Sequence, residues 1–139
     1  MIAFDTDVLT ELLLGRAEYL LRASAIPPAD QAVPIIVVEE ICRGRLETIR
    51  RAEAGKGSVS LDRAYDLFQE TLRDIRQLHI LPYTSEADAQ FTAWRQQKIR
   101  LSTHDLRIAA IVVVHSATLV SRNRRDFGRI PGLQVEYWE

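Results

Sequence analysis

Four places in this chain carry a carboxylate where a strand should give way to a helix or loop: Asp5, Glu40 beside Glu39, Asp105 and Asp126. Hard divalent cations choose oxygen donors, and Mg²⁺ commonly takes a few carboxylates and completes its shell with water and substrate phosphate. Without a cation, gathered carboxylates repel one another and some of their pKa values rise. With one or two cations the charge is balanced, a water is activated and a leaving oxygen is stabilised, which is the chemistry of phosphodiester cleavage. Taken singly, each acid has a plainer duty. Asp5 can cap a helix, Glu40 can be a solvated helix position, Asp105 can oppose a helix dipole, and Asp126 can pair with Arg124 or Arg125. The case for chemistry rests on their shared placement.

That placement depends on the elements that carry them. Ile2-Ala3-Phe4 is a short apolar run ending at Asp5, and Val8, Leu9, Leu12 and Leu13 follow at helical spacing. A second helix is expected from about Ala17 to Ala25, stopped by Pro27-Pro28. Ala32–Val37 reads as a buried strand, with Pro34 marking a start or an irregular edge, and Val38 opens a helix running to about Glu53. Ser60 is expected to cap a helix whose core face is Leu61, Ala64, Phe68, Leu72, Ile75 and His79. Ile80–Tyr83 reads as a brief strand, and Ser85 as the cap of a helix carrying Phe91 and Trp94. Asp105–His115 is apolar on almost every side and should be buried. Ala117–Ser121 and Leu133–Tyr137 read as further strands, joined by a charged loop over Arg122–Arg129. Strands alternating with helices imply a parallel sheet covered on both faces, with its site at the carboxyl ends of the strands.

The 139 residues fit one domain, 1–139, and 47% hydrophobic residues suffice for a core without disulfides or structural metal. Cys42 is alone, so neither an internal disulfide nor a cysteine metal site can form; it is expected as small core filler. The net charge of −1 says little, but all 18 basic residues except Lys56 and Lys98 are arginine, the side chain suited to bidentate phosphate contact. Arg122, Arg124 and Arg125 are therefore candidate contacts to a phosphodiester backbone, with self-pairing to nearby acids as the alternative, and Arg43 and Arg45 are weaker candidates of the same kind. His104 is the one histidine placed to bear on the acids. Met1 leads into an apolar run without a basic leader or cleavage site, and the longest apolar stretch, Ile108–Val114, cannot span a bilayer. The expectation is a cytoplasmic protein with no membrane partner.

At these residues the sequence resembles the PIN-domain ribonucleases, specifically the VapC-type toxins. Ile2 to Leu9 is similar to the family's opening strand and first acid, although Asn is more usual than Asp7. Glu40-Ile41-Cys42-Arg43-Gly44 is similar to its Glu-Leu-x-x-Gly, which selects Glu40 over Glu39. Asp105-Leu106-Arg107-Ile108-Ala109-Ala110 resembles the third acid and its helix. Ser121 to Phe127, followed by Pro131-Gly132-Leu133 and Trp138, resembles the closing segment. In many members a fourth acid stands where Asn123 stands here, so the fourth role is divided between Asn123 and Asp126. The resemblance implies a three-layer α/β/α PIN-like fold with a central parallel sheet of four to five strands. It also implies an Mg²⁺- or Mn²⁺-dependent endoribonuclease toxin. Metal would be held by Asp5, Glu40, Asp105, Asn123 and Asp126, with Thr6 and Ser121 as supporting hydroxyls. The expected partners are an RNA substrate, tRNA among the candidates, a cognate VapB-type antitoxin, and a second copy in a homodimer.

Two rival readings remain. A degenerate PIN domain would hold RNA or a partner without cutting, and Asn123 is its main support. A haloacid-dehalogenase-like phosphatase would use Asp5-Thr6-Asp7 as its Asp-x-Asp pair, but it also wants a lysine and a later acidic pair, and neither Lys56 nor Lys98 is well placed.

Overall fold

A computed structural model describes residues 1–139. Five parallel strands form one sheet in the order β3-β2-β1-β4-β5: β1 Ile2–Phe4, β2 Gln31–Pro34, β3 Ile80–Leu81, β4 Thr118–Ser121 and β5 Val135–Tyr137. Seven helices flank it in a three-layer α/β/α arrangement: α1 Thr6–Leu13, α2 Ala17–Ser24, α3 Ile35–Glu53, α4 Leu61–Ile75, α5 Ser85–Gln96, α6 Thr103–Val114 and α7 Arg124–Phe127. The chain builds outward from β1 to β2 and β3, then returns through α6 to place β4 on the other side of β1. The strand order therefore reverses at β1 and β4, where an open α/β sheet leaves a crevice at its carboxyl edge.

The buried apolar residues form one cluster of 24, with α6 at its heart: Leu106, Ile108, Ala109, Ala110, Ile111 and Val112 are all fully buried. The small Ala109-Ala110 pair lets the helix lie close to its neighbours. At the far end, Trp138 is buried against the rings of Phe4 and Tyr19, its indole edge-on to Phe4 at 5.7 Å. Its backbone N–H donates to Ser121 O at 3.0 Å, so the closing segment holds the end of β4. Ile130-Pro131-Gly132-Leu133 makes the turn into that segment, with Gly132 at φ +80° and Leu133 N–H donating to Ile130 O. Positive φ at the third turn position is what a Pro-Gly type II turn requires.

Several boundaries differ from the expectations. The second strand ends at Pro34 rather than Val37, and α3 begins at Ile35. Proline lacks an N–H for a ladder, and Pro34 at ψ 142° serves as the residue that launches the helix. Thr84, not Ser85, caps α5, accepting from Ala87 N–H at 3.1 Å. The supposed charged loop contains α7, capped by Asn123. On α4 the expected core face is only partly covered: Leu61 and Leu72 are exposed, and His79 lies beyond the helix and in solvent. This helix packs chiefly on α3, so no second layer closes over it. Cys42 is half-buried rather than core. No helix is long and apolar enough to cross a membrane.

Leu106, fully buried one residue from Asp105, gives the fold a direct test. Leu106→Ala should lower unfolding free energy by about 2–5 kcal/mol, read as a reduced urea midpoint at unchanged slope. A loss below about 1 kcal/mol would be incompatible with a close-packed α6.

Candidate functional site

Asp5 is the terminal point of the central strand and 5% exposed. Its Oδ1 accepts from Thr6 N–H at 2.7 Å, which makes it the N-cap of α1. Its Oδ2 accepts from the hydroxyl of Ser121, at the end of the adjacent strand β4, at 2.7 Å. Ser121 is fully buried and accepts in turn from Asn123 N–H at 2.9 Å, so its one proton is committed to Asp5. These donors favour the charged carboxylate, yet burial outweighs them. The Asp5 pKa is raised from 3.8 to about 6, with the neighbouring charges of Asp105 and Asp7 adding to the rise.

Glu40 and Asp105 show the same pressure. Burial raises the Glu40 pKa and Asp105 and Asp7 push it further, while His104 and the Thr6 hydroxyl pull it down. Burial likewise raises Asp105, with Asp126 and Asp7 adding, against the Ser102 cap of α6 and His104. Charges that act on one another in this way have been gathered at one end of the sheet. Asp5 arrives on β1, Glu40 on the second turn of α3, Asp105 on the first turn of α6, and Asp126 on α7.

Glu39 and Glu40 divide as their positions on the helix require. Glu39 turns outward to Arg43 at 2.7 Å and His104 Nε2 at 3.4 Å. Glu40 points inward, and its Oε1 is buried without a well-formed hydrogen bond, as is the Thr6 hydroxyl. His104 Nδ1 stands 3.9 Å from that same Glu40 oxygen. Asn123 and Asp126 hold each other: Asp126 N–H donates to Asn123 Oδ1 at 3.2 Å, and Asn123 Nδ2 donates to Asp126 Oδ2 at 2.9 Å. Two of the three arginines expected at RNA are paired within the chain, Arg122 with Glu11 at 3.4 Å and Arg124 with Glu139. Arg125 is exposed and unpaired. Asp7 is the residue that the sequence reading passed over. It stands outside the expected set of acids, yet its charge bears on Asp5, Glu40 and Asp105 alike.

The donors facing this pocket are oxygens, with His104 as the one nitrogen ligand type nearby. No three Asp, Glu, His or Cys side chains stand close enough to grip one ion between them. A cation here would take one or two carboxylates and water, a mode that suits Mg²⁺ and its reluctance to dehydrate.

No family model matches the chain. Over 40 residues, 29% of its length, it is 45% identical to ribonuclease VapC1 of Rickettsia felis, and over 69 residues it is 29% identical to ribonuclease VapC2 of the same organism. These matches span 30% and 52% of the two relatives' own lengths. Among solved structures, VapBC2 from Rickettsia felis bound to a promoter DNA fragment superposes over the whole of both chains, with a TM-score of 0.77 at 22% identity. The chain has a PIN fold. The five-stranded parallel sheet flanked by helices is that of this fold.

The raised carboxyl pKa values fix the sign of a pH effect. A carboxyl whose folded pKa exceeds its unfolded one contributes stability that is complete below the unfolded value and is lost as pH rises through the folded value. For Asp5 that window runs from 3.8 to about 6. In EDTA, stability to urea should therefore increase by on the order of 1 kcal/mol between pH 7 and pH 5, with Glu40 and Asp105 acting in the same direction. Asp5→Asn keeps a capping oxygen and should flatten the profile. An equally steep profile in that variant would move the effect away from Asp5.

Proposed function

We propose that this chain is a metal-dependent endoribonuclease of the toxin type, hydrolysing RNA phosphodiester bonds and neutralised by a cognate VapB-type antitoxin. One observation carries the reading: the carboxylates of Asp5, Glu40 and Asp105, from three separate elements, meet at the sheet's carboxyl edge at a cost, their charged forms opposed by burial and by neighbouring acids. A fold does not sustain such a site for stability alone, and a bound cation relieves it. The Glu40 Oε1 and the Thr6 hydroxyl, both buried without a well-formed hydrogen bond, fit a hydrated ion. One or two of Asp5, Glu40 and Asp105 would bind Mg²⁺ or Mn²⁺ directly and the rest through its waters, with Asp126 adding charge. When bound, the ion supplies Lewis-acid stabilisation of the phosphate and leaving oxygens and acidifies water.

The chain's own residues do the positioning. Ser121 and Thr6 N–H lock the Asp5 carboxylate so that its orientation is set before substrate arrives. His104 holds the Glu39-Glu40 corner of α3 against α6. The fully buried α6 keeps Asp105 from yielding to repulsion. Asn123 keeps Asp126 directed by their paired hydrogen bonds, and this leaves its own carbonyl oxygen engaged by a backbone N–H. Arg125 is the unpaired arginine of the closing segment and the best of its arginines for an RNA phosphate. Neither Lys56 nor Lys98 is among the charges acting on Asp5, Glu40 or Asp105, which removes the support for a phosphatase. The names of the two Rickettsia felis relatives, both ribonucleases, agree with the nuclease reading. The VapBC complex agrees with an antitoxin partner. A homodimer acting in the cytoplasm, with tRNA among the substrates, completes the proposal.

The test is cleavage of total tRNA and a synthetic RNA panel in Mg²⁺, Mn²⁺ or EDTA by the antitoxin-free protein, beside Asp5→Asn. Cutting should require metal and fall by about 100-fold or more in the variant. In parallel, Mg²⁺ or Mn²⁺ should raise the parent's Tm and leave that of Asp5→Asn nearly unmoved. Cleavage by Asp5→Asn at the parental rate would sink the assignment. A folded parent that binds RNA yet never cuts it would favour the binding-only reading.

A further inference from the structure

Beside the acid centre a groove of about 400 Å³ runs between α1 and α3. Thr6 and Thr10 line one side; Glu40, Gly44 and Arg45 line the other. Glu40 and Arg45 are five positions apart on α3, about 7.5 Å along the helix axis. At Gly44 no atom lies within 4 Å of where a Cβ would stand, so nothing obstructs a chain passing over the helix there.

Arg45 differs from the paired arginines of this edge. Arg43, Arg122 and Arg124 are each paired with a glutamate. Arg45 is anchored without being neutralised: its Nε donates to Thr71 Oγ1 on α4 at 2.9 Å. Thr71 is 2% exposed, and its own proton goes to Leu67 O at 2.9 Å, so toward Arg45 its hydroxyl can only accept. The guanidinium is thereby fixed through one nitrogen, and its two terminal nitrogens make no ion pair. A planar fork held in this way is the arrangement that suits bidentate contact with a phosphate.

We infer that the α1–α3 groove carries the RNA strand away from the bond to be cut, and that Arg45, aimed by Thr71, grips a backbone phosphate about one nucleotide from it. The identity of the strand rests on the nuclease reading above. The observations favour nucleic acid over a protein segment. The groove starts at carboxylates suited to a cation and a phosphate, and it ends at an unpaired guanidinium. Between them stand hydroxyls that can meet a ribose: Thr10 Oγ1 donates to Thr6 O at 2.7 Å and keeps its acceptor side for a 2′-OH. Arg45 is a binding residue in this scheme and Thr71 a positioning one.

The experiment measures affinity for a short single-stranded RNA across a salt series in the Asp5→Asn background, where chemistry is off. Removing one phosphate contact by Arg45→Met should reduce the magnitude of the log K against log salt slope by about 0.7. It should also weaken binding about tenfold. Thr71→Val, which keeps the charge, should leave the slope intact but weaken binding, and Thr71→Ser should restore it. Replacing single linkages by neutral methylphosphonates should identify one, adjacent to the scissile bond, whose effect disappears in Arg45→Met. If Arg45→Met fails to fold by circular dichroism, Arg45→Lys with Thr71→Val and Thr71→Ser carries the same comparison. An unchanged slope and affinity in Arg45→Met would overturn the inference and leave the groove to a protein segment. With Asp5 intact, metal-dependent cutting alongside that null result would keep the nuclease reading while this one falls. RNA held through Arg45 but never cut would do the reverse.

Discussion

Asp5 brings the strands, the first helix and the acid centre to one carboxylate. One oxygen caps α1 through Thr6 N–H, the other receives the Ser121 proton from β4, and its backbone N–H continues the β1–β4 ladder to Val120 O at 2.9 Å. Such donors would ordinarily pull a carboxyl pKa down, but desolvation wins and the group rests near 6. A side chain this well bonded and still unwilling to ionise is a compromise between holding the fold and presenting charge. The other acids repeat the compromise with fewer bonds, and α6 supplies the rigidity that prevents their mutual repulsion from parting them.

The rigidity has a compositional origin. Six residues between Leu106 and Val112 are fully buried, so α6 has little freedom to rotate Asp105 away from Asp5 and Glu40. On the β4 side, Trp138 fixes Ser121 through its backbone while its ring fills the space between Phe4 and Tyr19. Packing far from the acids therefore sets where their oxygens stand. Close-packed interiors transmit displacement, so substitutions at such places should register at the site.

The broad plan was legible in the sequence because it depends on local signals: short apolar runs ending in acids, a cap at Ser60, and an apolar stretch too long for a half-exposed helix. The choice of Glu40 over Glu39 came from a motif; in the structure Glu39 pairs with Arg43 and Glu40 Oε1 is buried. Boundaries were less legible where two roles competed for one residue. Pro34 reads as a strand start or an irregular edge, but it is the last residue of β2, paired with Leu81 of β3. Asn123 and Asp126 looked like rivals for one ligand position, but they form a reciprocal cap on a helix too short to announce itself. Asp7 stayed outside the expected set because its effect on three other acids depends on how α1 meets α3 and α6. The exposed Leu61 and Leu72 show the opposite error, in which a true helical stripe finds only one neighbour to cover it.

That single neighbour has a consequence for the order in which the molecule comes apart. Helix α4 leans chiefly on α3 and shares little of the central cluster, so its amides should belong to a low-energy unit that opens while the sheet stays closed. Thr71 goes with it. Each such opening frees the Arg45 guanidinium to swing, yet Asp5, Ser121 and Asp105 keep their places. Warming would then blunt the groove's hold on its strand well before it disturbs the acids, leaving an interval in which the centre is intact and the substrate is merely held less often.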